Sequence, residues 1–120
     1  MSVSEQMSSG CLFCKIIAAE IPADIVAETE HSVAFRDINA QAPTHLLVIP
    51  RLHEPDIGSL AAADPLAAAA LLTDIRAVAK AEGAEDNFRL VFNTGADAQQ
   101  TVFHCHAHVL AGRQFGWPPG

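Results

Sequence analysis

The 120-residue chain predicts a single α+β domain with a mainly antiparallel sheet. Short apolar segments with strand composition recur along the chain, and turn-forming residues separate them. One longer segment has the apolar spacing of an amphipathic helix. Strands and helices do not alternate as they do in a parallel α/β fold, so we expect antiparallel pairing.

In the first half of the chain, the polar residues 1–10 predict a flexible tail ahead of a domain over residues 11–120. The segment "CLFCKIIAAE" predicts a short helix ended by Pro22, because its apolar residues recur four positions apart. "DIVAETE" and "SVAFRDI" predict two strands around a turn near Glu30. The continuous apolar run "THLLVIP" predicts a central strand that stops at Pro50.

The second half contains the clearest helix, "DPLAAAALLTDIRAVAKAEG". Asp64 can cap its N-terminus, Pro65 fits the first helical position, and Gly83 fits just beyond its end. "FRLVFNT" predicts another strand, "GADAQQ" a loop and "VFHCHAHVLA" the last strand. Neither a repeat nor a linker divides the chain, so one domain is expected.

Composition and charge limit the class of protein. The net charge of −7 argues against a surface for nucleic acid or anionic membranes, because both need a net basic face. The N-terminus lacks the pattern of a signal peptide, and no apolar run is long enough to span a membrane. Three cysteines make a disulfide scaffold improbable and predict a cytoplasmic protein with reduced thiols.

His104, His106 and His108 occupy every second position of the last predicted strand, so their side chains should share one face. Three interpretations are open: a solvated histidine-rich face, a metal site, or a site for nucleophilic and acid–base catalysis. No carboxylate follows Asp97, which disfavours metal sites that need one near the triad. Cys105 and Ala107 should face the core.

The segment "HCHAHVL" fits the pattern His-φ-His-φ-His-φ-φ, in which φ is hydrophobic. Together with "CLFCKIIAAEIPA", "VAFRDINAQAPTHLLVIPRLH", "FRLVFNTG" and "QQTVFHCHAHVLAGRQFGWPPG", it resembles the histidine triad (HIT) family over nearly all of residues 11–120. "QAPTHLLVIP" and the "GRQ..WPPG" ending resemble its Hint branch, the nucleoside phosphoramidate hydrolases. The resemblance implies a five-stranded antiparallel sheet with two helices, extended to ten strands in a homodimer.

The resemblance also implies a mechanism. His106 is the expected nucleophile, which forms a nucleotidyl-histidine intermediate from a purine nucleoside 5′-phosphoramidate. His108 and His45 are expected to contact the phosphate oxygens, and one of the two to pass a proton towards the leaving amine. Thr101 replaces the usual serine and is expected to offer its hydroxyl to the phosphate. No cofactor is expected for catalysis. The expected nucleotide-binding residues are Asp37 for the ribose, Asn93 for the phosphate, Phe13, Ile16, Ile21, Phe35 and Ile38 for the base, and Trp117 from across the dimer.

One position departs from the family pattern. Gln99 stands where members often have a glycine, so backbone approach to the phosphate and leaving-group preference are expected to differ.

The pair Cys11-x-x-Cys14 has three interpretations: a redox pair, two buried inert thiols, or half of a tetrahedral zinc site. Many bacterial members that carry this pair bind a structural zinc, and the resemblance names His53 and His104 as the other two ligands. The function also has alternatives: a nucleotide- or zinc-binding interaction module, or a hydrolase of dinucleotide polyphosphates.

Overall fold

The computed structural model describes residues 10–120, so all but the last residue of the predicted tail lies outside the described part. Five strands form one antiparallel sheet in the order β1-β2-β3-β5-β4. The strands are β1 (Ile25–Glu28), β2 (Ser32–Arg36), β3 (Thr44–Pro50), β4 (Arg89–Phe92) and β5 (Ala107–Ala111). The predicted antiparallel sheet is confirmed, and β3 lies at its centre as expected.

Within residues 10–120, three helices accompany the sheet: α1 (Leu12–Ile17), α2 (Ile57–Ala63) and α3 (Pro65–Ala81). The predicted start of α3 is confirmed, because the Asp64 carboxylate accepts a hydrogen bond from the backbone N–H of Ala67 and Pro65 opens the helix. Gly83, just beyond its end, has φ +78°, a conformation that glycine adopts without strain.

The structure corrects the helix predictions in two places. A third helix, α2, was not expected, although its start is visible in Asp56, whose carboxylate accepts from the backbone N–H of Ser59 at 2.8 Å. Helix α1 ends at Ile17 rather than at Pro22, because Ala19 has φ +59° and breaks the helical path.

The predicted last strand also starts too early. Strand β5 begins at Ala107, so His104 and His106 lie in the segment that leads into it. There the backbone leaves the sheet ladder, since the N–H of Cys105 donates to the carbonyl of Glu54 at 2.7 Å. The side chains of this segment still alternate in direction as predicted: Cys105 and Ala107 are buried in the core.

Two apolar clusters cover the two faces of the sheet. Strand β3 contributes Leu46 and Val48 to the cluster with α3, and Leu47 and Ile49 to the cluster with α1. Burial on both faces explains why β3 is a continuous apolar run rather than an alternating one. Among residues 10–120, no helix has the length and apolarity needed to cross a bilayer.

Candidate active site and metal cluster

The histidines lie on the sheet face that α1 covers. In the β3–β5 register, His108 is opposite Leu47, two residues along β3 from His45, so both histidines point to the same face. Phe13 of α1 packs edge-on against the ring of His106, with centroids 5.0 Å apart. The rings of His106 and His108 are 5.2 Å apart. The structure therefore brings three of the four predicted catalytic residues, His45, His106 and His108, together.

The proton on His106 is fixed by its backbone contact. Its Nδ1 lies 2.8 Å from the carbonyl oxygen of His104, and because a carbonyl only accepts, Nδ1 carries the proton. The Nε2 atom therefore presents a lone pair. Burial lowers the pKa of His106, which favours the neutral ring at pH 7. A neutral, oriented imidazole with an available nitrogen is suited to nucleophilic attack.

His45 and His108 form a directed pair. The backbone N–H of Gln41 donates to His45 Nδ1 at 3.0 Å, so the neutral ring carries its proton on Nε2. His45 Nε2 lies 3.0 Å from His108 Nδ1, which must accept and leaves the proton of His108 on its Nε2. Burial, helped by the neighbouring His106 and His45, lowers the pKa of His108 to about 4. Asp37 Oδ2 lies 3.4 Å from His45 Nε2.

A second cluster contains His104. It joins α1 to the segment after β3 and to the segment before β5. The donor atoms of Cys11, Cys14, His53 and His104 all lie within 4.8 Å of one another. Cys14 Sγ is 3.0 Å from His53 Nδ1, His104 Nδ1 is 2.9 Å from His53 Nδ1, and Cys11 Sγ is 3.5 Å from His104 Nδ1. Neighbouring ligands of a tetrahedral zinc with two sulfurs and two nitrogens are about 3.3–3.8 Å apart. The 3.5 Å distance lies in this range, and the two shorter distances would widen by about 0.5 Å around the ion, so the four residues fit it.

Ring orientation supports this fit. His104 Nε2 donates to the Pro50 carbonyl at 2.8 Å, so its Nδ1 lone pair faces the two sulfurs. The Nε2 atom of His53 is buried without a hydrogen-bond partner among the described residues, so a metal bond at Nδ1 would fix this ring. Burial and the neighbouring Cys11 raise the pKa of Cys14 to about 11, so a bound metal would have to displace a proton from sulfur.

The group of Asp37, His45 and His108 also places three donor atoms close together. Here the tautomer disfavours a metal. A metal on His45 Nε2 would put the ring proton on Nδ1, where it would face the N–H donor of Gln41. The two clusters therefore differ in chemistry: lone pairs converge in one, and a chain of hydrogen bonds runs through the other.

The remaining predicted residues are dispersed around this face. Phe13, Ile16 and Phe35 are buried in the α1-side cluster, and Ile21 is partly buried against it. Ile38 is fully exposed and Trp117 is 84% exposed, so neither is part of that cluster. Asn93 is half-buried directly after β4, and Thr101 is exposed in the loop that leads to His104. The roles of all these residues in binding stay predictions.

The sequence reasoning did not single out Gln100, which organises the loop between β4 and β5. Its buried side-chain amide donates to the carbonyls of Pro55 and Val102, and its carbonyl accepts from the N–H of Gly95 at 2.9 Å. The only signal was a glutamine in an otherwise ordinary loop. Gln99 has φ +68°, so the position expected to hold glycine does adopt the left-handed conformation.

A five-stranded antiparallel sheet, with three alternating histidines in β5 and in the segment that leads into it beside α1, defines a histidine triad protein. The family model described as "HIT domain" matches residues 18–115, and the chain belongs to this family.

Named relatives are similar over most of the chain. The "14 kDa zinc-binding protein" of Zea mays is 48% identical and is matched over 93% of this chain and 89% of its own. The "purine nucleoside phosphoramidase" of Escherichia coli is 42% identical over 92% and 93%. A crystal structure of a "HIT family hydrolase" from Legionella pneumophila superposes with a TM-score of 0.87 at 48% identity, over 92% of this chain and 99% of that one.

Proposed function

We propose that the protein is a purine nucleoside phosphoramidate hydrolase. It would cleave the P–N bond of a nucleoside 5′-phosphoramidate and release AMP or GMP and an amine. One observation carries the proposal: His106 presents an unprotonated Nε2 while His108, whose ring lies 5.2 Å away, carries a proton on its own Nε2. The name of the Escherichia coli relative supports the same reaction.

In the first step, His106 Nε2 attacks phosphorus as the P–N bond breaks, the Nε2–H of the neutral His108 donates a hydrogen bond to the leaving nitrogen, and the leaving amine takes its proton from solvent water. The positive charge that develops on His106 is stabilised by the His104 carbonyl, which accepts from Nδ1. In the second step, water attacks phosphorus and loses its proton to solvent, the Nε2–H of His108 keeps its hydrogen bond to the reacting group, and the nucleoside monophosphate leaves His106. His106 thereby returns to its starting state.

Substrate binding completes the proposal. Asp37 would accept hydrogen bonds from the ribose hydroxyls, and Asn93 and Thr101 would contact the phosphate. The purine would lie against the apolar residues near α1, with Ile38 extending that surface. Trp117 would reach the site of the partner in a homodimer whose two sheets join into ten strands, and its exposure in one subunit is compatible with this role.

We further propose that Cys11, Cys14, His53 and His104 bind a structural zinc. The convergent lone pairs support it, and so does the name of the maize relative. Bound zinc would cross-link α1 to the segment that contains His106, and it has no role in the chemical steps. Zinc binding needs reduced thiols, and none of the three cysteines forms a disulfide in the structure, so we place the protein in the cytoplasm.

The test is steady-state hydrolysis of a fluorogenic adenosine 5′-phosphoramidate by the wild type, His106→Ala and His31→Ala. His31 is half exposed on the β1–β2 turn, beside Glu30, and serves as the matched histidine control. We expect His106→Ala to lose at least about a thousandfold in kcat, since it removes the nucleophile, and His31→Ala to match the wild type.

A diadenosine polyphosphate is assayed in parallel. Turnover of this compound alone would replace the proposal with a dinucleotide hydrolase. Nucleotide binding without any turnover would support an interaction module instead.

A further inference from the structure

Arg113, two residues after β5, ties the C-terminal segment to the loop between β2 and β3. Its Nε–H donates to the carbonyl of Gln41 at 2.9 Å, and its Nη1 donates to the carbonyl of Gln114 at 3.1 Å. Its guanidinium stacks on Phe115, with Cζ 4.2 Å from the ring centroid. Stacking fixes the plane of a guanidinium, so the direction of the Nε–H bond is fixed as well.

The two segments also approach each other closely. Gly112 has φ +96°, and a Cβ at this position would lie 2.9 Å from Cβ of Pro43. Within the loop, the side-chain amide of Gln41 donates to the carbonyl of Asn39, whose N–H donates to Asp37 Oδ1 at 2.8 Å. Arg113 therefore holds the carbonyl of residue 41, and the carbonyl of Asn39 holds the side chain of the same residue.

We propose that Arg113 is a positioning residue that fixes the tautomer of His45 and, through it, the proton on His108. The Gln41 carbonyl is bound by Arg113, and the Gln41 N–H, held in direction, donates to His45 Nδ1 at 3.0 Å. His45 then donates from Nε2 to His108 Nδ1. The inference rests on the proposed function, because the proton thus placed on His108 Nε2 is the one that donates a hydrogen bond to the leaving nitrogen.

The alternative tautomer shows why this contact matters. If the Gln41 N–H turned away, His45 could carry its proton on Nδ1 and accept from His108 through Nε2. His108 would then hold its proton on Nδ1 and present a lone pair to the substrate. Such a site keeps its nucleophile and its binding residues but lacks the hydrogen-bond donor to the leaving nitrogen, so kcat falls while KM changes little.

The test compares Arg113→Ala, Arg113→Lys and Arg76→Ala. Arg113→Lys keeps the charge but has no Nε–H at that place, and Arg76 is an exposed arginine on α3, paired with Glu85, that controls for loss of one positive charge. Long-range ¹H–¹⁵N correlation spectra report which ring nitrogen of His45 and His108 carries the proton. Phe115→Leu, which removes the stacking ring, is the second variant if Arg113→Ala does not fold.

We expect both Arg113 variants to shift the two rings from the Nε2–H form toward a mixture and to lose on the order of tenfold in kcat, with KM within about threefold. Arg76→Ala should match the wild type. Unchanged tautomers in the Arg113 variants would overturn the inference. An effect on KM alone that Arg113→Lys does not show would also overturn it and would indicate that Arg113 attracts an anionic substrate through its charge. If the wild type does not hydrolyse phosphoramidates but the tautomers shift, the proposed function fails and the positioning role stands.

Discussion

The site geometry gives its strongest support to one prediction: bound zinc stabilises the folded protein. The perturbation is removal of zinc by a chelator, compared with Cys14→Ser, which replaces one ligand sulfur. Four of the six distances between the donor atoms are 2.9–3.6 Å and all six are within 4.8 Å, so little rearrangement opposes binding. A ligand present at a thousand times its dissociation constant stabilises the folded state by about 4 kcal/mol. For a domain of this size, that corresponds to a change in Tm on the order of 15 °C.

The assay is thermal unfolding with one equivalent of zinc and with excess chelator, together with metal content by elemental analysis. Cys105→Ala is the matched control, because Cys105 is buried in the α3-side cluster and is not one of the four ligands. We expect the chelator to lower the Tm of the wild type and of Cys105→Ala by a similar amount, and that of Cys14→Ser very little. The metal hypothesis is refuted if the chelator leaves the Tm of the wild type unchanged, or if Cys14→Ser retains a full equivalent of zinc with unchanged affinity.

Two further predictions concern stability. Gln99→Gly should raise the free energy of unfolding by about 0.5–1 kcal/mol, since relief of left-handed strain of about 1–2 kcal/mol exceeds the entropy cost of glycine. Chemical denaturation measures this change. The control is Ala98→Gly, which should destabilise the protein because φ of Ala98 is not positive. The pKa of His108 is about 4 in the folded state against about 6.5 unfolded, so the unfolded state binds the proton first and stability falls as pH drops from about 6.5 to about 4. Between pH 7 and pH 4 the wild type should lose about 3 kcal/mol more than His108→Gln, and equal losses would contradict the assigned burial of a neutral ring.

Much of the fold follows from local signals in the sequence. Asp64 and Pro65 mark the start of α3 because capping depends on a side chain three residues from the amide that it satisfies. The apolar run of β3 indicates burial on both faces and hence a central strand. The missed helix α2 is short and has one buried residue, Leu60, so its apolar periodicity was too weak to detect.

For the candidate site too, local sequence patterns predicted some features and tertiary contacts decided others. The alternation of His104, His106 and His108 predicted residues that act together, and the family motifs assigned a role to each. What only the tertiary structure decided is which ring nitrogen carries each proton. That choice depends on partners distant in sequence, such as Pro50 for His104, or supplied by a loop, such as Gln41 for His45.

The same reason explains why the sequence did not predict a positioning role for Arg113. Its contact with Gln41 joins residues 72 positions apart, and an arginine near a chain end has no pattern that distinguishes it from a solvated one. Sequence alone determined the residue types and the strands that hold them, because spacing along a strand is a local property. The direction of each hydrogen bond was decided by the fold, because a donor and its acceptor meet only when distant segments pack.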